Sequence, residues 1–254
     1  MRLTESRIEL DGAPELSHVV DAIGFGLFIA AMAGVFYLAL EPFVRRRWPQ
    51  TLISWTRLLA GDARDPLVAG HILLGVTFAV ANAMLQNGIN WYQFQTQGVL
   101  ALTGNRIGTL DATRMASFLL AGVIFPAAIV MGVFFLLILL RLVLRYTWVA
   151  AAAVVGLRAV VAWSGGDAGA SGVFADAVSV SLVLLVTLRF GILPGTLIVI
   201  FRTLVGTLPL TSDFSAWYAS RGLTAVALTL VLAVWSFRHA LGGRKVLSER
   251  FLDA

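Results

Sequence analysis

The sequence predicts an all-α fold, a polytopic transmembrane helical bundle of about seven spans with one short amphipathic helix at the cytoplasmic interface. Three observations carry that expectation. Hydrophobic residues make up 59% of the 254 and charged residues 13%, with a mean hydropathy of +0.87. Apolar runs of near membrane length recur along the chain, and basic residues gather between alternate runs. Soluble domains carry about 25% charged residues and could not hide this much apolar surface from water. Helices in lipid need not hide it, because acyl chains are as apolar as Leu.

The first 18 residues form a short polar N-terminal tail without the apolar stretch of a cleaved signal peptide, so the first apolar run is itself the targeting signal. The transmembrane domain is expected over 19–240 and a cytoplasmic C-terminal tail over 241–254. A span needs about 20 mostly apolar residues. Runs meeting that need, fully or nearly, lie at 19–40, 67–85, 115–140, 147–163, 174–188, 191–208 and 222–237. The fifth and sixth are separated only by Arg189, Gly191, Pro194 and Gly195, which allows either two short helices with a tight turn or one broken helix.

Charge decides in favour of two. With seven spans and an outer N-terminus, 12 of the 19 cations fall inside, among them Arg45, Arg46, Arg47, Arg57, Arg64, Arg141, Arg145 and Arg189. Merging the two runs would move the basic tail (Arg244, Lys245, Arg250) outside, against the positive-inside rule. The expected location is therefore a bacterial inner membrane, crossed several times, N-terminus outside and C-terminus cytoplasmic. All basic residues but Lys245 are Arg, and loops facing an anionic leaflet explain the pI of 10.4 better than nucleic acid does.

Segment 41–66, EPFVRRRWPQTLISWTRLLAGDARDP, follows the first span. Leu52, Trp55 and Leu59 recur on one helical face, with Ser54 and Arg57 on another, so 51–61 reads as a helix lying in the inner interface. Pro49 interrupts the first span, and Gly61 with Pro66 ends the interfacial helix and resets the chain. Arg45, Arg46, Arg47, Trp48, Trp55 and Arg57 are the residues expected to touch lipid headgroups or a partner. An ordinary positive-inside anchor is the plainer account of them and a docking surface the sharper one.

The run LEPFVRRRWPQTLISWTRLLAG, followed by RDPLV, resembles the membrane portion behind the catalytic domain of certain bacterial serine/threonine protein kinases, notably acidobacterial ones. A second similar stretch is LPLTSDFSAWYASRGL with the last span and its SFRHALGG tail. No Gly-rich phosphate loop, HRD-type catalytic Asp or DFG-type metal ligand occurs in the chain. The resemblance thus implies a kinase-associated membrane module standing without its kinase.

The longest outer connection is expected at 86–114, rich in Asn, Gln and aromatics, where Trp91, Tyr92 and Phe94 suit a headgroup belt. An interfacial or re-entrant helix explains it more simply than a ligand lid. Segment 211–220, with Asp213, Phe214, Trp217 and Tyr218, is a second outer anchor.

Ionisable residues inside apolar runs carry more information, since an Arg near a span centre costs roughly 2.5–3.5 kcal/mol on insertion scales. Arg158 and Arg202 are such residues, and Asp21 and Asp176 lie near the starts of their helices. Arg158 and Asp176 flank the turn between the fourth and fifth spans and are placed to pair. These four are the candidate ligand or ion-pair residues. The structural reading is snorkelling or pairing; the functional one is an outer polar pocket in which Arg158 and Arg202 hold an anion.

Other chemistry is thin. There is no Cys, and the pair His18 and Asp21, with His71 and His239 far along the chain, makes no metal site. No GxSxG, HExxH or P-loop pattern occurs, and no cofactor is implied. Gly26, Ala30 and Gly34 form a small-xxx-small stripe suited to close packing within the bundle. Two functions follow as expectations. The first is a non-catalytic membrane module, an anchor, scaffold or sensor subunit whose partners are lipids, other membrane subunits or a cytoplasmic signalling protein. The alternative is a small transporter or channel built on Arg158, Asp176 and Arg202.

Overall fold

The computed structural model describes residues 13–47, 50–97, 112–165, 169–207, 215 and 219–242, those of 13–22, 40, 43–47, 50, 97, 112–121, 123–124, 207 and 221 by backbone alone. Described residues form eight α-helices and no strand: α1 Ala13–Arg47, α2 Gln50–Leu59, α3 Pro66–Gln97, α4 Ala112–Leu144, α5 Thr147–Ser164, α6 Ala170–Phe190, α7 Ile192–Thr207 and α8 Ala219–Ala240. Five of them (α3 to α6 and α8) are long and apolar enough to cross a membrane, and α1 and α7 contain shorter apolar stretches at Ile23–Ala39 and Ile192–Gly206. The protein is thus a helical bundle of multi-pass membrane character. Its outer surface agrees, since Leu142, Val143, Val160 and Val231 point outward and are each 66% exposed or more. In water that surface would be a large liability, whereas in lipid it costs nothing.

Helix termini follow from local chemistry. The Gly61 N–H donates to the Leu58 carbonyl and the Asp62 N–H to the Arg57 carbonyl, closing α2 with a Schellman turn in which Gly61 takes φ +93°. Asp65 then caps α3, its Oδ1 accepting from the backbone N–H of Leu67 at 2.8 Å and of Val68 at 3.4 Å, with Pro66 at the first helical position. At the α4–α5 junction Arg145 adopts φ +64°, the left-handed conformation that lets the chain reverse within two residues. Gly191, at φ +111°, separates α6 from α7.

Two helices and not one broken helix occupy 170–207. Gly195 on α7 packs directly against the Thr187 side chain on α6, and the pair straddles Gly191, so the chain folds back on itself there. α7 also packs on α3, where a Cβ on Gly75 would lie 2.7 Å from Leu197 Cβ. Small residues at both contacts let the backbones approach closely, the usual means of helix association without a water-driven force.

The core has two parts. One gathers Leu52, Phe134, Leu137, Val154, Leu184 and Ile192 from α2, α4, α5, α6 and α7. The other gathers Val68, Ile72, Val76, Leu193, Phe201 and Leu204 along the α3–α7 seam. α2 sits under both, touching α3, α6 and α7.

Several expectations change. α1 runs through Pro42 to Arg47, so Arg45, Arg46 and Arg47 end a helix and do not form a loop; Trp48 and Pro49 lie outside the described residues. Residues 86–97, expected in the outer connection, continue α3 without a break. No Pro interrupts them, and Gln86 and Gln93 find partners on α6, which stabilises the helical register. On α2 the buried face is Thr51, Leu52 and Ser54 with Trp55 half-buried, whereas Leu59 is exposed. A tertiary surface, and not a flat lipid interface, selects that face. A Cβ at Gly26 or Gly34 would meet open space, so the small-residue stripe of α1 is not packed within the bundle.

Candidate functional site: an arginine and carboxylate cluster across α5, α6 and α7

Arg158 lies on α5, six residues before its end; Asp176 lies six residues into α6; Arg202 lies five residues before the end of α7. The antiparallel α5–α6 pair brings Arg158 beside Asp176. Arg158 Nη2 donates to Asp176 Oδ1 at 3.1 Å and lies 3.1 Å from Oδ2 as well. The Asp176 side chain is 19% exposed and that of Arg158 47%. Arg202 is only partly exposed and lies on α7, which packs against α6. Two of the four ionisable candidates, Arg158 and Asp176, are therefore joined directly, with Arg202 on a neighbouring helix. Asp21, on α1, has no described side chain, and His18 stands with it outside the described side chains.

A polar seam, which patterning did not single out, adjoins the cluster. Ser179 Oγ donates to Asn82 Oδ1 at 3.0 Å and accepts from Gln86 Nε2 at 2.7 Å, and Gln86 Nε2 also donates to the Ala175 carbonyl at 3.1 Å. Farther along the same helix pair, Gln93 Nε2 donates to Ser171 Oγ at 2.7 Å. Asn82 and Ser179 are each 1% exposed. A spacing signal existed: Asn82, Gln86 and Gln93 share one face of α3, as Ser171, Ala175 and Ser179 do on α6. Amide and hydroxyl side chains inside a span pair across helices because lipid offers them nothing.

The opposite end of the bundle carries the residues expected at headgroups or a partner. Arg57 is exposed and its Nη1 donates to Asp65 Oδ2 at 2.7 Å, tying α2 to the start of α3. Desolvation works to raise the pKa of Asp65, yet the N–H groups of Leu67 and Val68 and the Arg57 guanidinium outweigh it and hold the carboxyl below its ordinary value. Trp55 is half-buried against both cores. An open surface cavity of about 820 Å³ is lined by Gly61 to Asp65 and by Trp235, whose ring stacks on His239 at 4.5 Å. A second, purely apolar groove of about 200 Å³ runs along α1 beside Phe28, Met32 and Phe36. Neither cavity includes Arg158, Asp176 or Arg202.

Among the described residues His, Asp and Glu nowhere gather in threes to hold a metal ion. Compared with known proteins, the chain matches no family model, no curated protein and no solved structure.

Proposed function

We propose that this chain is a seven-span, non-catalytic module of a bacterial inner membrane, with its N-terminus outside and its C-terminus in the cytoplasm. It acts as an anchor, scaffold or sensor subunit in a larger signalling assembly. The observation that carries the reading is the basic platform at one end of the bundle. There α2 is wedged beneath α3, α6 and α7, Gly191 meets Thr51, and Gly242 after α8 meets Pro66 at the start of α3. At ten residues, α2 is about 15 Å long, too short to cross, and it lies where Arg57, Arg64, Arg189 and Arg238 also fall. Such a fixed surface suits a cytoplasmic partner with acidic groups as well as anionic lipid. The resemblance of 40–68 to kinase-attached membrane segments points to the same class of partner.

The pairing of Arg158 with Asp176 supports a module over a solute pathway, which calls for charged groups lining a hydrated cavity near mid-membrane. Affinity purification from the native membrane tests the reading. A stable co-purifying chain, lost when Arg45, Arg46, Arg47 and Arg57 are all replaced by Glu, is the expected result. Specific solute flux or turnover by the purified chain in liposomes would overturn it.

A further inference from the structure

The open cavity of about 820 Å³ at the α2–α3 turn has charged groups on one side and an indole on the other. Asp62, Arg64 and Asp65 supply the charge, and Trp235 of α8 supplies the indole. Asp65 is committed to Arg57 at 2.7 Å, whereas the exposed side chains of Asp62 and Arg64 have no hydrogen bond or ion pair among the described residues. Their backbone is nevertheless fixed. The Asp62 N–H donates to the Arg57 carbonyl and the Asp65 N–H to the Asp62 carbonyl, and a Cβ on Gly242, just after α8, would lie 3.5 Å from Pro66. A carboxylate and a guanidinium, both unpaired, are thus held two residues apart at the mouth of one cavity.

The cavity straddles a membrane boundary. The apolar span of α3 starts at Pro66 and that of α8 ends at Ala240, so the turn 61–65 lies just outside the apolar segments. Trp235 lies five residues, about 8 Å, inside the end of its span. It is half-buried against the α3–α7 seam and stacks on His239. Toward the bilayer centre its face of α8 continues through Val231 and Leu228, four and seven residues back, which are 68% and 44% exposed. Charged turn, aromatic ring and apolar strip therefore follow one another with depth, in the order of headgroup, glycerol and acyl chain in a phospholipid.

We infer that this cavity binds the headgroup of a zwitterionic phospholipid, phosphatidylethanolamine. Asp62 accepts from the ammonium, Arg64 donates to the phosphate, and Trp235 sits at the acyl boundary, where an amphipathic ring is at home. The two unpaired charges complement a headgroup that carries both signs. A headgroup with a phosphate alone leaves Asp62 without a partner and sets it against a like charge. Free phosphoethanolamine lacks the chains that cover Val231 and Leu228, so the lipid is the occupant. The site stands in either leaflet and whether or not a partner protein docks on the arginine platform.

The test uses the full chain purified in detergent and stripped of lipid, with phosphatidylethanolamine and phosphatidylglycerol of the same acyl chains competing in native mass spectrometry. The wild type is expected to retain phosphatidylethanolamine in preference. D62N, which leaves the backbone bonds of the turn in place, should lower that preference about tenfold, as loss of a charge-assisted hydrogen bond implies. D62E should keep part of it. R64Q should weaken both lipids alike, since both carry the phosphate, a split that a general loss of structure does not produce. Thermal unfolding of each variant checks that it folds. Equal retention of the two lipids by the wild type would overturn the site, and so would an unchanged preference in folded D62N. Displacement of the lipid by equimolar free phosphoethanolamine would also overturn it, by assigning the cavity to a soluble ligand.

Discussion

The carbonyl oxygen of Thr51 lies 2.7 Å from the point where a Cβ on Gly191 would stand. This contact joins α2 to the α6–α7 turn, and Gly191 also holds φ +111°, which L side chains rarely adopt. Gly191→Ala therefore meets backbone on one side and strain on the other, and neither can move cheaply. The expected cost is on the order of 1–3 kcal/mol. Gly156→Ala, in the interior of α5 with nothing within 4 Å, is the control and is expected to be neutral or stabilising. Thermal unfolding of both variants in one detergent checks the difference; equal melting temperatures would deny the close contact.

Asp65 combines a helix cap with an ion pair, and its folded pKa is depressed by the Leu67 and Val68 N–H groups and Arg57 against opposing desolvation. A carboxyl depressed on folding adds stability that is fully present above its unfolded pKa and disappears as pH falls through its folded value. The α2–α3 turn is therefore expected to loosen only in strong acid, below the ordinary carboxylate range. Hydrogen exchange at Leu67 and Val68 should quicken there in the wild type. In Asp65→Ala it should be fast at neutral pH already and lack that pH step; a step that persists would assign the acid response to another group.

Much of this architecture was legible because hydropathy and punctuation act locally. Gly61, Pro66 and Gly191 mark helix ends through backbone constraints that need no tertiary context, and the Arg158–Asp176 pair followed from their places on either side of one turn. What sequence pattern missed was set by neighbouring helices. Ser54 is fully buried and Leu59 is two-thirds exposed, the reverse of their polarity, because α2 packs against α3, α6 and α7, with Thr51 set on Gly191. Likewise 86–97 looks like a polar connection until Ser171 and Ser179 are seen opposite Gln93 and Gln86. Polar residues inside a span cannot be told from a loop by composition when their partners lie 78 and 93 positions away.

Those partners yield a further prediction. Ser179 is the joint of the α3–α6 seam, donating to Asn82 and accepting from Gln86. Ser179→Ala strands a buried amide oxygen and weakens the hold on Gln86, at a cost of about 0.6–2 kcal/mol for interhelical hydrogen bonds in membranes. Ser181→Ala, which removes only a local bond to the Ala177 carbonyl, should cost less. Denaturation of both in mixed micelles gives the comparison, and a larger loss for Ser181→Ala would sink the seam as a stabilising element.

The side of the membrane on which α2 lies decides the topology, and the chain has no Cys, so single cysteines report without background. Ile53, Arg57 and Leu59 are exposed on α2, while Ser54 is 0% exposed and its hydroxyl is enclosed by the bundle. Cysteines at Ile53 and Leu59 are therefore expected to react with an impermeant maleimide only after the inner face is opened, and one at Ser54 to stay protected from both sides. A cysteine at Trp163, exposed at the far end of α5, should react from the outer face in intact cells. The helix directions force this opposition, because α5 begins beside α2 in the core around Leu52 and Ala150 and runs for eighteen residues, about 27 Å. Labelling of Ile53 and Trp163 from the same side would remove the crossing by α5, and with it the seven-span reading and the inner placement of the arginine platform.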